Sequence, residues 1–320
     1  MGSPPVPGVE LSIIVVSYNT RELLAACLRS LGPTVSRTAH ETIVVDNASR
    51  DGSVEMVGRE FPGALLIANT SNVGFARAAN QGVRAAHGEF LALLNSDAEA
   101  SPGSLDALVA CLKSQRTVAA VGPRTLLPGG RVSNSCFRFP SLVRPYLNIQ
   151  MLRLITRDYF SLSYPAASAV LARGGEVDWL SGACLVLRRK ALDQVGLLDE
   201  RFFMYFEDTD LCRRLHRGGW SVWYFPGTQV LHRVGQSSGG EGDRERLRLE
   251  LRRSSLHYFR THHPGPVFWA VRVLVVFGAV TRLALGCWPF RRSGAASAAD
   301  PATERRIIRL ALSDNADLFS

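Results

Sequence analysis

Four times in the first 115 residues a short apolar, β-branched run gives way to a stretch with helical spacing, and each of those runs ends in polar side chains. "LSIIVVSY" (11–18) is continuous and apolar, as expected of a strand buried on both faces. "TRELLAACLRSL" (20–31) follows with helical spacing, with Thr20 as its N-cap and Gly32-Pro33 as its stop. The same alternation gives a strand over 41–47, a helix over 49–61, a strand over 64–70, a helix over 74–88, a strand over 89–97 and a helix over 102–115, with Pro102 near its first turn. A repeating β–α rhythm means a mostly parallel sheet with helices on its faces, that is, an α/β, Rossmann-like fold. In such sheets ligands sit beyond the C-terminal ends of the strands. Ser17-Tyr18-Asn19, Asp46-Asn47 and Asn95-Ser96-Asp97 all fall at such ends.

After "VAAVGP" (118–123) the rhythm breaks. "RTLLPGGRVS" reads as a hairpin around Gly129-Gly130, 134–175 is irregular, and 177–196 resumes with a strand and a short helix. A further strand over 221–233 precedes an arginine-rich helix over 243–263 and an apolar stretch over 266–288.

Composition narrows the function classes. The formal net charge of +9 rests almost wholly on arginine, since Lys113 and Lys190 are the only lysines. That balance favours anionic partners such as phosphates or lipid, but no nucleic-acid motif accompanies it. The six cysteines show no CxxC and no paired spacing, so free thiols in a reducing compartment are expected. "MGSPPVPGVE" has neither a basic n-region nor an apolar core, which points to a cytoplasmic protein, and Val6 fails the myristoylation pattern.

Several side chains have a chemical and a structural reading side by side. Asp97 can bind a hard divalent cation that takes its remaining ligands from water and phosphate. It can equally cap the helix that follows. Asp46 in "DNAS" can hold a ligand or form a turn. Arg77 can reach a diphosphate or lie solvated on its helix. His232 is either a ligand or a structural imidazole. In "MYFEDTDLCRRL" (204–215) the acids suit a helix N-terminus, which accounts for one or two of the three but not for the aromatics preceding them.

Taken in order, "LSIIVVSYNT", "IVVDNASRDGS", "NVGFARAANQG", "FLALLNSDAEA", "WLSGACLVLRR", "LLDERFFMYFEDTDLCRRL" and "VLHRVGQSS" resemble the blocks of family 2 inverting glycosyltransferases of the GT-A fold, most closely the bacterial rhamnosyltransferase-like members. The resemblance implies a donor site of Ser17, Tyr18, Asn19, Asp46, Asn47, Gly74, Arg77, Asn80, Asn95, Ser96 and Asp97. Within it Tyr18 and Asp46 hold the base and Arg77 lies near the diphosphate. Asn95-Ser96-Asp97 occupies the DxD position, with Asn95 in place of the first aspartate. Asp97 and His232 are then the metal or diphosphate contacts, for Mg2+ or Mn2+. Trp179, Ser181 and Gly182 line the acceptor side, Asp208 is the general base and Glu207 stands beside it.

Implied partners are a dTDP- or UDP-linked sugar, with L-rhamnose a candidate sugar, and a glycan or polyprenyl-linked acceptor at the inner membrane surface. The organisation expected is a disordered 1–9, a catalytic domain over 10–263 (donor half 10–123, acceptor half 124–263), a membrane-associating helix over 264–290 and a tail over 291–320. Arg272 and Arg282 inside the apolar stretch argue against a span, because each costs roughly 2.5–3.5 kcal/mol at a bilayer centre. The expectation is an interfacial helix whose arginines meet anionic lipid; the alternative is a helix packed against protein.

A sugar nucleotidyltransferase shares the fold, but "SYNTREL" lacks the glycine-rich loop. A silent binding module would be expected to have lost Asp97 or Asp208.

Overall fold

The computed structural model describes residues 8–141, 164–165, 168–233, 241–286 and 300–313. These fall into two compact units, the first drawn from 1–139, 164–203 and 207–237, the second from 140–163, 204–206 and 238–320. The division near 237 places the arginine-rich helix with the C-terminal helices rather than with the expected 124–263 half.

The first unit opens as β1 (Leu11–Ser17), α1 (Arg21–Thr34), β2 (His40–Asp46), α2 (Ser53–Glu60), β3 (Leu65–Ala68), α3 (Phe75–Ala85), β4 (Phe90–Asn95), β5 (Ala98–Ala100) and α4 (Ser104–Ser114). It continues through β6 (Val118–Leu126), β7 (Val132–Ser133), β8 (Cys136–Arg138), β9 (Tyr164–Pro165), α5 (Ser168–Arg173), β10 (Gly175–Val177) and β11 (Trp179–Leu180). β12 (Cys184–Arg188), α6 (Arg189–Val195), α7 (Glu207–Arg217) and β13 (Ser221–His232) complete it.

The main sheet has the order β10-β13-β6-β12-β4-β1-β2-β3, with β5 on β13 and β7 on β6; β11-β8-β9 form a small second sheet. β1, β2, β3 and β4 pair in parallel, as does β13 with β6. β12 is antiparallel to both β4 and β6. Successive residues of β1 point to opposite faces: Leu11, Ile13 and Val15 into a core with α1, α2 and α4, and Ile14 into a core with α3 and α7. α3 offers small residues to the sheet, and a Cβ at Gly82 would lie 2.4 Å from the Ile14 side chain.

Several element ends differ from expectation. α1 runs through Gly32-Pro33 to Thr34 although Pro33 has no N–H to donate to the preceding turn, and the Thr34 hydroxyl and the Val35 N–H both donate to the Leu31 carbonyl. Thr20 makes no side-chain cap; its hydroxyl donates to Ser96 Oγ instead. α4 starts at Ser104, after Gly103, so Pro102 precedes the helix. The hairpin at Gly129-Gly130 is present as β6–β7. The five described cysteines are free, and Cys287 lies outside the described residues.

The second unit holds α8 (Glu241–His262), α9 (Gly265–Gly286) and α10 (Pro301–Leu312). α10 was not expected within the 291–320 tail. Asp300 caps it by accepting from the N–H groups of Ala302 and Thr303, with Pro301 in the first turn. Its Glu304, fully buried, takes Arg248 of α8 and, through both carboxylate oxygens, Arg282 of α9 at 3.0 and 2.9 Å. Arg272 of α9 donates to the carbonyls of Ala311 and Ser313. Both arginines of the apolar helix are therefore buried against α10, which overturns the expectation that they meet lipid. Met204–Phe206 counts with this unit: Ser254 donates to the Met204 carbonyl at 2.7 Å and Phe206 packs on Tyr258.

Glu304→Gln should lower stability by about 3–5 kcal/mol, because it leaves the buried Arg282 guanidinium without its counter-charge. Thermal unfolding of the full chain measures this, and an unchanged midpoint would contradict the role given to Glu304.

Candidate active site

Parallel pairing in register brings the polar strand ends to one edge. Ser17 lies opposite Asp46, and Val16 opposite Asn95. A chain of hydroxyls joins two of these ends: Ser17 Oγ lies 3.0 Å from Thr20 Oγ1, which donates to Ser96 Oγ at 2.9 Å. The loops after β1 and β2 are latched to each other, with the Asn19 N–H donating to Ser49 Oγ and the Arg50 N–H to Asn19 Oδ1. Asn19 and Ala48 adopt left-handed backbone (φ 51° and 68°), a conformation non-glycine residues take at a cost and often at functional turns. Tyr18 stands exposed at this edge.

Asp46 and Asn47 divide the work. Asn47 Oδ1 accepts from the Val73 N–H and from Asn69, and its amide donates to Asn72 and to the Gly74 carbonyl. It therefore builds the loop leading to α3. Asp46 is 1% exposed; its Oδ1 accepts from the Ser49 N–H, while Oδ2 is buried with no hydrogen-bond partner. An unmatched buried acceptor costs about 1–3 kcal/mol unless a ligand donates to it.

Gly74, at φ 86°, admits the Phe203 backbone: a Cβ there would meet the Phe203 carbonyl at 2.7 Å, and that carbonyl accepts from the Phe75 N–H. One aromatic before the acids thus docks on the start of α3. Arg77 and Asn80 are held by the same segment. Arg77 pairs with Glu200 at 3.2 Å, and buried Asn80 bonds the Leu198 backbone in both directions and donates to Glu200. The structure thus gives both side chains partners away from the strand ends.

Asp97, 4% exposed, lies with Oδ1 3.0 Å from His232 Nε2, and Asn95 Nδ2 is 3.5 Å from the same imidazole nitrogen. The antiparallel β5–β13 pairing produces this, setting His232 opposite Ala98. Next to it Arg233 donates to Glu99 at 2.8 Å, so Glu99 is engaged by a cation. An oxygen and an imidazole nitrogen side by side, with an amide close by, fit a divalent cation that draws its other ligands from phosphate and water. No cluster of three or more His, Cys, Asp or Glu side chains suited to a metal occurs among the described residues.

α7 begins at Glu207. Tyr205 and Phe206 before it are both left-handed (φ 70° and 67°), so the turn into the helix is held against its own preference. Asp208 Oδ2 accepts from the Gly182 N–H at 3.0 Å, and Oδ1 accepts from the Thr209 N–H and hydroxyl at 2.6 and 3.1 Å. Burial pushes Asp208 up to about 6, against those N–H donors, which hold it down. Burial, then the charge of Asp208, pushes Glu207 up to about 8, and its Oε2 is buried with no hydrogen-bond partner. Two interacting carboxyls do not ionise together easily, and the hydrogen bonds select Asp208 as the one that carries charge near neutrality. Asp210, 1% exposed, pairs with Arg214, which also donates to the carbonyls of Val195, Gly196 and Leu197. It is a buried anchor for that loop, more than helix-end decoration.

On the expected acceptor side, Trp179 stacks on Phe137 at 4.5 Å and donates to the Arg138 carbonyl, and the Ser181 N–H donates to the Ser135 carbonyl. Gly182 is the member of this group that touches Asp208. Thr209, Glu200 and Arg233 were not singled out from the sequence, and Thr20 was singled out only as a helix cap. Thr209 lies inside the acidic motif and could have been found there, whereas Glu200 pairs with α3 across more than 110 positions and had no local signal.

A mixed, mostly parallel sheet with polar residues at its strand ends, a DxD-like acid beside a histidine, and a half-buried general-base candidate on a following helix mark the GT-A glycosyltransferase fold. The family model "Glycosyltransferase like family 2" matches residues 7–249, and the chain belongs to that family. It is 32% identical over 241 residues to an N-acetylglucosaminyl-diphospho-decaprenol L-rhamnosyltransferase of Mycobacterium tuberculosis, covering 72% of this chain and 78% of the relative. Among solved structures it resembles the mannosyltransferase PcManGT from Pyrobaculum calidifontis in complex with GDP-Man and Mn2+ (TM-score 0.54, 18% identity, 97% of this chain and 86% of that one). It also resembles S. aureus TarS 1-349 in complex with UDP (TM-score 0.52, 16% identity, 94% and 70%).

Proposed function

We propose that this glycosyltransferase moves a sugar, with inversion, from a dTDP- or UDP-linked donor to a hydroxyl of a glycan or polyprenyl-linked acceptor in cell-wall or surface polysaccharide synthesis. It works at the cytoplasmic face of the membrane, and L-rhamnose is the sugar. The donor and acceptor classes are supported by the relative, whose name gives L-rhamnose transfer and a diphospho-decaprenol carrier.

The observation that carries the reading is Asp208, half-buried, fixed by the Gly182 and Thr209 N–H groups and the more acidic of two neighbouring carboxyls. Ionised, it accepts the proton of the acceptor hydroxyl as that oxygen bonds to the anomeric carbon and the bond from that carbon to the diphosphate oxygen breaks. Glu207 stays protonated at neutral pH and so leaves the charge on Asp208. Asp46 Oδ2 is suited to an N–H of the donor's base, with Tyr18 beside it as an exposed ring. Ser17, Asn19, Asn47, Ser96 and Gly74 shape that end, and Asn80 with Arg77 fixes the segment leading to the acids. Trp179 and Ser181 frame Gly182 on the acceptor side. Asp97 and His232, with Asn95, would hold Mg2+ or Mn2+, which when bound neutralises the diphosphate.

Incubating the chain with a polyprenyl-diphosphate-linked N-acetylglucosamine acceptor and a panel of nucleotide sugars tests this. Transfer from dTDP-rhamnose above the other donors is expected, and transfer from none of the panel would contradict it.

A further inference from the structure

α9 is apolar on both faces, and turns its charged residues inward. At 100° per residue, Phe268, Val271, Val275 and Ala279 form its buried face, and its two charged residues, Arg272 and Arg282, turn inward with them. Trp269, Val273, Phe277 and Val280 fall within about 80° of each other on the opposite face. They are 57%, 66%, 54% and 48% exposed. A surface helix in water turns its charged residues outward, and a contiguous outward apolar stripe marks a contact with something else. From Trp269 to Val280 the stripe is about 16 Å long at 1.5 Å per residue.

We propose that this stripe is a lipid-docking face, on which α9 lies in the plane of an anionic membrane surface. The inference rests on the membrane-associated reading above and gives it a surface: the apolar side chains enter the lipid, and Arg272 and Arg282 do not. Charge supports lipid as the occupant. Over 241–286 and 300–313 there are eleven arginines against six acidic residues, and Arg305, Arg306 and Arg309 are exposed on α10. A net positive charge draws this unit to anionic headgroups, and tryptophan favours the membrane–water boundary. Four partly exposed side chains offer far less than the roughly 800 Å² a side of a standard protein interface, which disfavours a second copy. The buried Arg282–Glu304 pair ties α9 to the other helices, so it cannot leave them to cross a bilayer without breaking that pair.

Co-sedimentation of the full chain with vesicles of equal parts phosphatidylglycerol and phosphatidylcholine tests the proposal, alongside Trp269→Ser/Phe277→Ser and Val273→Asn/Val280→Asn double variants. Exposed positions are chosen so that the fold survives, and thermal unfolding checks that it does. The expected result is binding by the wild type that weakens about tenfold or more in each variant and weakens on pure phosphatidylcholine. Transfer to a water-soluble acceptor should be unchanged in the variants; its absence in the wild type would count against the transferase reading and leave the vesicle result standing. Equal vesicle binding by wild type and variants, or none by the wild type, overturns the proposal. So does a wild-type dimer in sedimentation velocity that the variants dissolve without vesicle binding, because a second copy then covers the stripe.

Discussion

Asp208→Asn is expected to lower sugar transfer by about 10²–10⁴-fold, the usual contribution of a positioned base, while donor affinity stays close to that of the wild type. Asparagine keeps the shape of the side chain and an oxygen for the Gly182 N–H, but it cannot take up the hydroxyl proton. Wild-type transfer should fall as pH drops through about 6, where Asp208 becomes protonated. The stability effect has the opposite sign. Asp208 is raised in the fold, so the stability it contributes is present below its ordinary range near 3.8 and is lost as pH rises through about 6. The asparagine variant should therefore gain stability relative to wild type between about pH 4 and 6, which separates a lost base from a lost fold. Steady-state transfer, donor titration and thermal unfolding across that range measure all three quantities. Near wild-type transfer would place the base elsewhere.

Asp97→Ala should abolish most of the cation-dependent part of nucleoside diphosphate affinity, by at least about 10–100-fold, since even partners behind metal ligands are worth that much. Glu99 cannot substitute, because Arg233 occupies it at 2.8 Å, and His232 alone is a weak holder of a hard cation. Calorimetric titration with and without Mn2+ gives the difference directly. Unchanged cation-dependent affinity would remove Asp97 from the centre and leave it as a partner of His232.

The first half of the fold was legible because buried parallel strands and their helices have different periods, and the strand ends carried polar residues where the topology places ligands. The antiparallel course of β12 was not legible: "ACLVLRR" reads the same in either direction, and its direction is set by its pairing with β4 and β6, which lie far from it in sequence. Asp97 and His232 could be put together from the ordered motifs, since their contact at 3.0 Å spans 135 positions and has no local signal. Arg77 and Asn80 were legible as polar positions of α3 but not as partners of Glu200. The aromatics before the acids proved to have packing roles: Phe203 docks on Gly74, and Phe206 on Tyr258. Arg272 and Arg282 show the same limit. A helical wheel places them about 80° apart, which suits a lipid-facing or a buried side equally, and their partners lie 20 to 40 residues further on in α10.

Inverting transfer with Asp208 as base is tested most directly by the anomeric configuration of the product, read by nuclear magnetic resonance on the sugar transferred from a donor of known configuration. A single displacement, with the hydroxyl attacking opposite the departing diphosphate, gives a product of the opposite configuration, and that is the expected result. A product that retains the donor's configuration would contradict it.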